Sequence, residues 1–207
     1  MIVTISRAYG ANGKAVGAAL AAELSYRLVD EELPRLAALR LGTTPDVVRG
    51  LEDRAPGIGE RIVRALTTAH PETGTAALAP LDDAFVAEYR REVAQLVREA
   101  AAPGDVVIVG RFAGAILGPR PGLLRAFLRA ELAWRVAAVQ AALDCDAARA
   151  RDEIARVDEA RRSFARAAYG LAWGDAKSYD LVLDTSRFGV AGTAGVLAAA
   201  VRAAAGR

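Results

Sequence analysis

Cysteine and histidine are nearly absent from this chain. Cys145 is the only cysteine and His70 the only histidine among 207 residues. A lone cysteine cannot form an internal disulfide, and one of each cannot build a Cys/His zinc site. A Ser-His-Asp or Cys-His mechanism would have to run through His70. That residue precedes Pro71 in a loop-like stretch with no nucleophile motif nearby. An excess of one charge is also missing. The 27 Lys+Arg and 25 Asp+Glu leave a net +2, with acids and bases interleaved, so the footprint of a nucleic-acid binder is lacking. No run of about 18 apolar residues exists, and the alanine-rich stretch 190–201 is too short and too weakly apolar to span a bilayer. Arg7 breaks the apolar N-terminus before a secretory core could form. These absences lead us to expect a cytoplasmic protein without membrane or nucleic-acid partners; a monomer or a homodimer is expected, with the sequence silent on which.

What is present is organised around the first 17 residues. Ile2, Val3 and Ile5 read as a buried parallel strand. Gly10-Ala11-Asn12-Gly13-Lys14-Ala15 then reads as a glycine loop running into a helix whose apolar face holds Val16, Leu20 and Leu24. N–H groups at a helix N-terminus favour an anion. Glycines allow close approach, and a lysine adds a mobile positive charge. The full phosphate-loop pattern is not met: Ala8 stands at the first-glycine position and Ala15 where a magnesium-binding hydroxyl belongs.

Further on, 27–30 reads as a second strand ending in Asp30. Ligands of open α/β sheets sit at the carboxyl ends of strands, so Asp30 is placed to face the same crevice as Lys14. Capping the following helix is the other reading. A helix is expected over 31–41, a second from Thr44-Pro45 to Asp53, and a short one over 60–68. Residues 31–84 together read as a helical insertion that could hold a substrate. Phe85, Tyr89, Val93, Leu96 and Ala100 mark an amphipathic helix. Val106-Val107-Ile108-Val109 is the most apolar strand, and Gly110-Arg111 follow at once. A charge at the end of a buried strand needs an anion or a carboxylate. Arg111 is therefore a phosphate clamp or half of a structural ion pair. A strand over 123–128, a helix through Leu132, Val136, Val139 and Leu143, an arginine-dense helix, a strand with its exit at 179–186 and a closing helix complete the chain. The arginine-dense helix also reads as a solvated face laced with ion pairs. Alternating strands and helices predict one α/β domain, a five-stranded parallel sheet covered on both faces.

These motifs, taken together, resemble the cytidylate kinase-like family of P-loop nucleoside monophosphate kinases. The residues that carry the likeness are Thr4-Ile5-Ser6-Arg7 with Gly10 and Gly13-Lys14, Val29-Asp30-Glu31-Glu32-Leu33, Val107-Ile108-Val109-Gly110-Arg111 and Asp158-Glu159-Ala160-Arg161. Trp173-Gly174-Asp175 and Tyr179 to Ser186 complete it. It runs through nearly the whole chain, with no recognisable piece at 55–84. The resemblance implies phosphoryl transfer from ATP with Mg²⁺ to a nucleoside monophosphate, CMP or dCMP by default. It implies that Gly10 to Ala15 hold ATP phosphates and that Lys14 bridges them. Arg111 and Asp158, with Asp30, would serve the acceptor. Arg161 with Arg156 would close from a helical lid at about 145–175. Phe112 departs from the family's Gly-Arg-Asp stretch, and Ala15 leaves the metal to phosphates, water and Asp30. A nucleotide-binding pseudokinase or sensor of the same fold, or a kinase for another small acceptor, is the alternative.

Overall fold

The computed structural model describes residues 1–30, 32–45, 48 and 83–206. Most of the expected insertion, including the short helix at 60–68, lies outside them. Five strands form one parallel sheet: β1 (Ile2–Arg7), β2 (Arg27–Val29), β3 (Val106–Val109), β4 (Leu123–Arg129) and β5 (Leu181–Asp184), in the order β2-β3-β1-β4-β5. Helices α1 (Gly13–Leu24), α2 (Glu32–Arg40), α3 (Asp83–Ala101), α4 (Ala113–Leu117), α5 (Leu132–Leu143), α6 (Ala147–Tyr169) and α7 (Thr185–Ala205) accompany the sheet, with a 3₁₀ turn at Ala176–Ser178. The α/β expectation holds. The short helix α4 was not expected: five residues are too few to show a period.

Alternation along β3 divides the core. Val107 and Val109 join Val3, Ile5 and Leu128 against Val16 and Leu20 of α1 and Leu197 and Val201 of α7. Val106 and Ile108 point the other way, onto Tyr89, Val93, Leu96 and Val97 of α3 and Ala113 and Leu117 of α4. Such strands, buried on both faces, read as unbroken apolar runs. Helix α7 extends beyond the stretch 190–201 to 21 residues, kinked at Gly189 (φ 65°, ψ 177°), and is long and apolar enough to cross a membrane by length and composition alone. Its inner face, Ala194, Leu197, Ala198 and Val201, is buried in the core that includes α1.

The order places β1 at the point where the chain changes direction. From β1 it runs through α1 towards β2, and from β3 it crosses β1 to reach β4. Because α1 and α4 leave on opposite faces, a crevice opens between the carboxyl ends of β1 and β3. That is where open α/β sheets bind ligands.

Candidate phosphate-binding site at the β1–β3 crevice

The loop after β1 is held by its backbone. The Ala8 N–H donates to the Leu128 carbonyl (2.9 Å) and the Ala11 N–H to the Ala8 carbonyl (3.2 Å). Gly10 has φ +81°. A Cβ there would lie 2.7 Å from the Arg135 carbonyl oxygen, so the close approach of two backbones requires glycine. Asn12 adopts the left-handed conformation (φ 53°, ψ 30°) and turns the chain into α1. The first helical bond outside the strict span runs from the Val16 N–H to the Asn12 carbonyl (3.0 Å). The N–H groups of Gly13, Lys14 and Ala15 belong to the first turn, where intrahelical acceptors are lacking. Lys14 and Ala15 are exposed, while Ala11 and Gly13 are buried.

Arg7 crosses the crevice. A Cβ on Gly13 would lie 2.7 Å from its Cγ, and one on Gly110 (φ +84°) would collide with its guanidinium. The two glycines therefore make the channel through which Arg7 passes from β1 towards the loop after β3. The sequence reading did not single out Arg7 as a site residue. The advance signals were its place in the Thr4-Ile5-Ser6-Arg7 stretch and the glycines at 13 and 110, whose purpose shows only in three dimensions. Arg111 and Phe112 follow with φ 55° and 50°, a consecutive pair of left-handed non-glycine residues. Such backbone strain gathers at functional sites.

Helix α6 is tied down over this loop. Asp158 is buried; it accepts from the Tyr9 N–H (2.9 Å) and pairs with Arg135. Arg135 also donates from Nε to the Tyr9 carbonyl (2.6 Å). Arg161 donates to the Arg7 carbonyl (3.3 Å) and lies 5.6 Å from the Tyr9 ring centroid. Further along, Phe164 stacks on Phe112 (5.1 Å), Tyr169 packs beside both, and Arg90 of α3 donates to the Ala168 carbonyl (2.5 Å). Tyr9 and Arg135 are further residues that sequence reasoning missed.

Of the residues singled out from sequence, Gly10 to Ala15, Lys14, Arg111, Asp158 and Arg161 belong to this crevice or its cover. Both Asp158 oxygens are engaged by the protein, which gives that carboxylate a holding position. Arg156 pairs with Glu153 (2.6 Å), three residues back, on the exposed side of α6. Asp30 stands at the carboxyl end of β2, beyond β3 from the loop, two residues before α2. Among the described residues no group of three or more His, Cys, Asp or Glu could hold a metal. A Mg²⁺ ion commonly rests on substrate phosphates and one or two carboxylates, and this donor set is compatible only with that mode.

Beside the crevice, on the α4 face, lies a cavity of about 190 Å³ whose walls include Ser6, Phe112, Arg125, Tyr169 and Tyr179. Burial pushes the Tyr179 phenol above its usual pKa. The Ser6 hydroxyl, the Gly174 backbone and the Arg125 charge moderate that rise. Neither Ser6 nor Gly174 meets the phenol oxygen in hydrogen-bonding geometry, and the oxygen is inaccessible and unsatisfied.

A crevice at the switch point, a glycine loop entering a helix and arginines from three elements are common to many phosphate binders. The family match decides between them: residues 2–187 fit the model of the cytidylate kinase-like family. The chain belongs to that family. A cytidylate kinase of Methanopyrus kandleri is 33% identical over 118 residues, which make up 53% of this chain and 61% of that protein. The match thus spans less than two thirds of the relative. Among solved structures, an uncharacterised protein of Eubacterium ventriosum superposes with TM-score 0.67 at 17% identity, covering 98% of each chain. Protein TT1252 of Thermus thermophilus gives 0.57 at 21%, covering 98% of this chain and 96% of that one. A shikimate kinase of Bacteroides thetaiotaomicron gives 0.53 at 14%, covering 98% of each. At these identities the structures speak for the fold alone.

Proposed function

We propose that this member of the family is an ATP-dependent phosphotransferase acting on a nucleoside monophosphate, with CMP or dCMP as the default acceptor. The observation that carries the reading is the arrangement around the loop. Lys14 stands at the start of α1, Arg7 runs between Gly13 and Gly110, and Arg161 comes down from α6 onto the Arg7 carbonyl and the Tyr9 ring. Phosphoryl transfer needs positioning and charge neutralisation more than covalent chemistry, and this arrangement offers both.

In this reading the chain is one domain with α6 as its lid. The N–H groups from Gly10 to Ala15 hold ATP phosphates, and Lys14 neutralises the β and γ oxygens. Arg111 holds the acceptor phosphate. Arg161 stabilises charge on the transferring group and excludes water. Asp158 orients Arg135 and the loop. Arg156 reaches the phosphates only by leaving Glu153. When bound, Mg²⁺ supplies charge neutralisation on the phosphates, with Asp30 the candidate carboxylate on the protein side.

Ala15, where a hydroxyl would help hold the metal, favours a second reading: nucleotide binding without transfer. Acceptor-dependent ADP release from Mg·ATP, with CMP, dCMP, UMP, AMP and GMP in parallel, separates the two. Loss of one loop or lid charge costs about 3–4 kcal/mol in the transition state. Lys14→Ala and Arg161→Ala should each lower turnover at least about a hundredfold. Near-normal turnover in both variants would sink the assignment. ATP binding without release for any acceptor would move the protein to the second reading.

A further inference from the structure

We propose that Arg7 is the built-in cation of this phosphate site. Its guanidinium, lodged between the first turn of α1 and the loop after β3, takes the charge-neutralising place of a protein-held metal ion, so that the chain binds a nucleoside triphosphate about as well without Mg²⁺ as with it. This rests on the reading of the loop after β1 as the ATP phosphate site and gives Arg7 a role there.

In P-loop enzymes the metal ion is held by a hydroxyl directly after the loop lysine and by a carboxylate. Among the described residues neither group stands at the mouth of this crevice. Ala15 follows Lys14, β3 runs out through Val109 and Gly110, and β1 runs out through Arg7 and Ala8. Ser6 leaves β1 on the opposite face, into the cavity against α4. Asp30 ends β2, one strand further out. Asp158, the carboxylate that meets the loop, has its two oxygens on Tyr9 and Arg135.

A guanidinium stands there instead. Arg7 follows Val3 and Ile5 on the α1 face of β1. Its stem lies against Gly13, where a Cβ would come within 2.7 Å of Cγ, and its head lies at Gly110, where a Cβ would come within 3.1 Å of Cζ. Gly13 has no positive φ, so its backbone is open to any residue, and glycine is a poor residue for a helix. Room for the Arg7 stem explains it. The backbone of Arg7 is fixed as well: its carbonyl accepts from Arg161 (3.3 Å), and the next N–H, of Ala8, donates to the Leu128 carbonyl (2.9 Å). The charge is therefore in place before a ligand arrives, as electrostatic preorganisation requires.

A guanidinium is always charged, and its planar fork suits phosphate oxygens. It also repels a divalent cation from the same place. A metal ion and Arg7 exclude each other between α1 and β3, and Mg²⁺ is left to the phosphates of the nucleotide.

Calorimetric titration with ATP, in buffer containing Mg²⁺ and in buffer containing EDTA, tests this on the intact protein, Arg7→Met and Arg7→Lys. The intact protein should bind ATP within about threefold in the two buffers. Arg7→Met should bind about ten- to a hundredfold more weakly in EDTA, the effect of a hydrogen bond to a charged group. Mg²⁺ should recover most of that loss, because the ion can then enter the vacated place. Arg7→Lys, which keeps the charge, should lie between. A merely structural Arg7 would lower the melting temperature and leave the ratio of the two affinities unchanged in Arg7→Met; that result overturns the inference. A loss of about tenfold or more on removing Mg²⁺ from the intact protein also overturns it, and that measurement needs no variant to fold. ATP binding in neither buffer overturns the phosphate site and the inference with it. Failure of the kinase reading alone shows differently, as metal-independent ATP binding that depends on Arg7 but is never followed by acceptor-dependent ADP release.

Discussion

Removing the Asp158 carboxylate should break the link between α6 and the loop after β1, and the cost can be worked from its surroundings. The side chains of Asp158 and Arg135 are 10% and 14% exposed. In Asp158→Ala the buried Arg135 guanidinium loses its carboxylate and keeps the Tyr9 carbonyl, and the Tyr9 N–H loses its acceptor. Breaking a buried pair by deleting one partner costs about 3–5 kcal/mol. In a chain of this size each kcal/mol moves the midpoint by about 2–4 °C, so Tm should fall by roughly 6–20 °C. Replacing both partners tests the cause. Asp158→Ala/Arg135→Met leaves no stranded charge and should be more stable than Asp158→Ala alone. Urea unfolding of wild type, both single variants and the double variant gives the coupling directly. A loss below about 1 kcal/mol in Asp158→Ala, or strict additivity in the double variant, would refute the reasoning.

Two more predictions follow from local geometry. Gly10→Ala should destabilise more than Gly42→Ala, by roughly 1–3 kcal/mol in urea. Both positions have positive φ, but a Cβ meets the Arg135 backbone only at Gly10 and open space at Gly42; equal losses would show that the backbone contact is unimportant. The acid limb should depend on Asp180, whose pKa is held below the ordinary aspartate range first by hydrogen bonds from the Arg125 side chain. A depressed folded pKa gives stability that is present above about pH 4 and lost as pH falls through the folded value. Asp180→Asn should therefore lie below wild type at neutral pH and converge with it in acid; parallel curves would exclude the pair as a contributor.

The strands were legible because each is short, apolar and bounded. Val106 to Val109 is buried at every position, and only a parallel strand covered on both faces accepts such a run. The order of the strands was not written in any local pattern, since it depends on which face each crossover takes. The glycine loop was legible from Gly13-Lys14. Arg7 was not, because a strand-ending arginine looks the same whether it meets solvent or threads two glycines. Asp158 carried a misleading signal: Asp-x-x-Arg in a charged helix reads as surface, yet the four-residue neighbourhood of Val157, Asp158, Ala160 and Arg161 faces inward, with Val157, Asp158 and Ala160 buried. The expected helix from Thr44-Pro45 onward falls mostly on residues outside those described.

Two independent fastenings along α6 bear on how this helix would act in the kinase reading. The ionic one joins Asp158 to Tyr9 and Arg135. The aromatic one joins Phe164 and Tyr169 to Phe112, six or more residues further along the helix. Six residues of helix span about 9 Å, so the two act at separate points and fix the direction of the helix as well as its position. Arg161 lies between them. Its approach to the loop is therefore set by packing on either side, and the ordering it needs has been met in folding. Preorganised charge is what electrostatic catalysis requires, because a donor already in place costs no reorganisation when charge develops. On the kinase reading, loosening either fastening should lower turnover more than ATP affinity, since the loop that binds ATP keeps its own glycine-built backbone while the arginine above it loses its fixed aim.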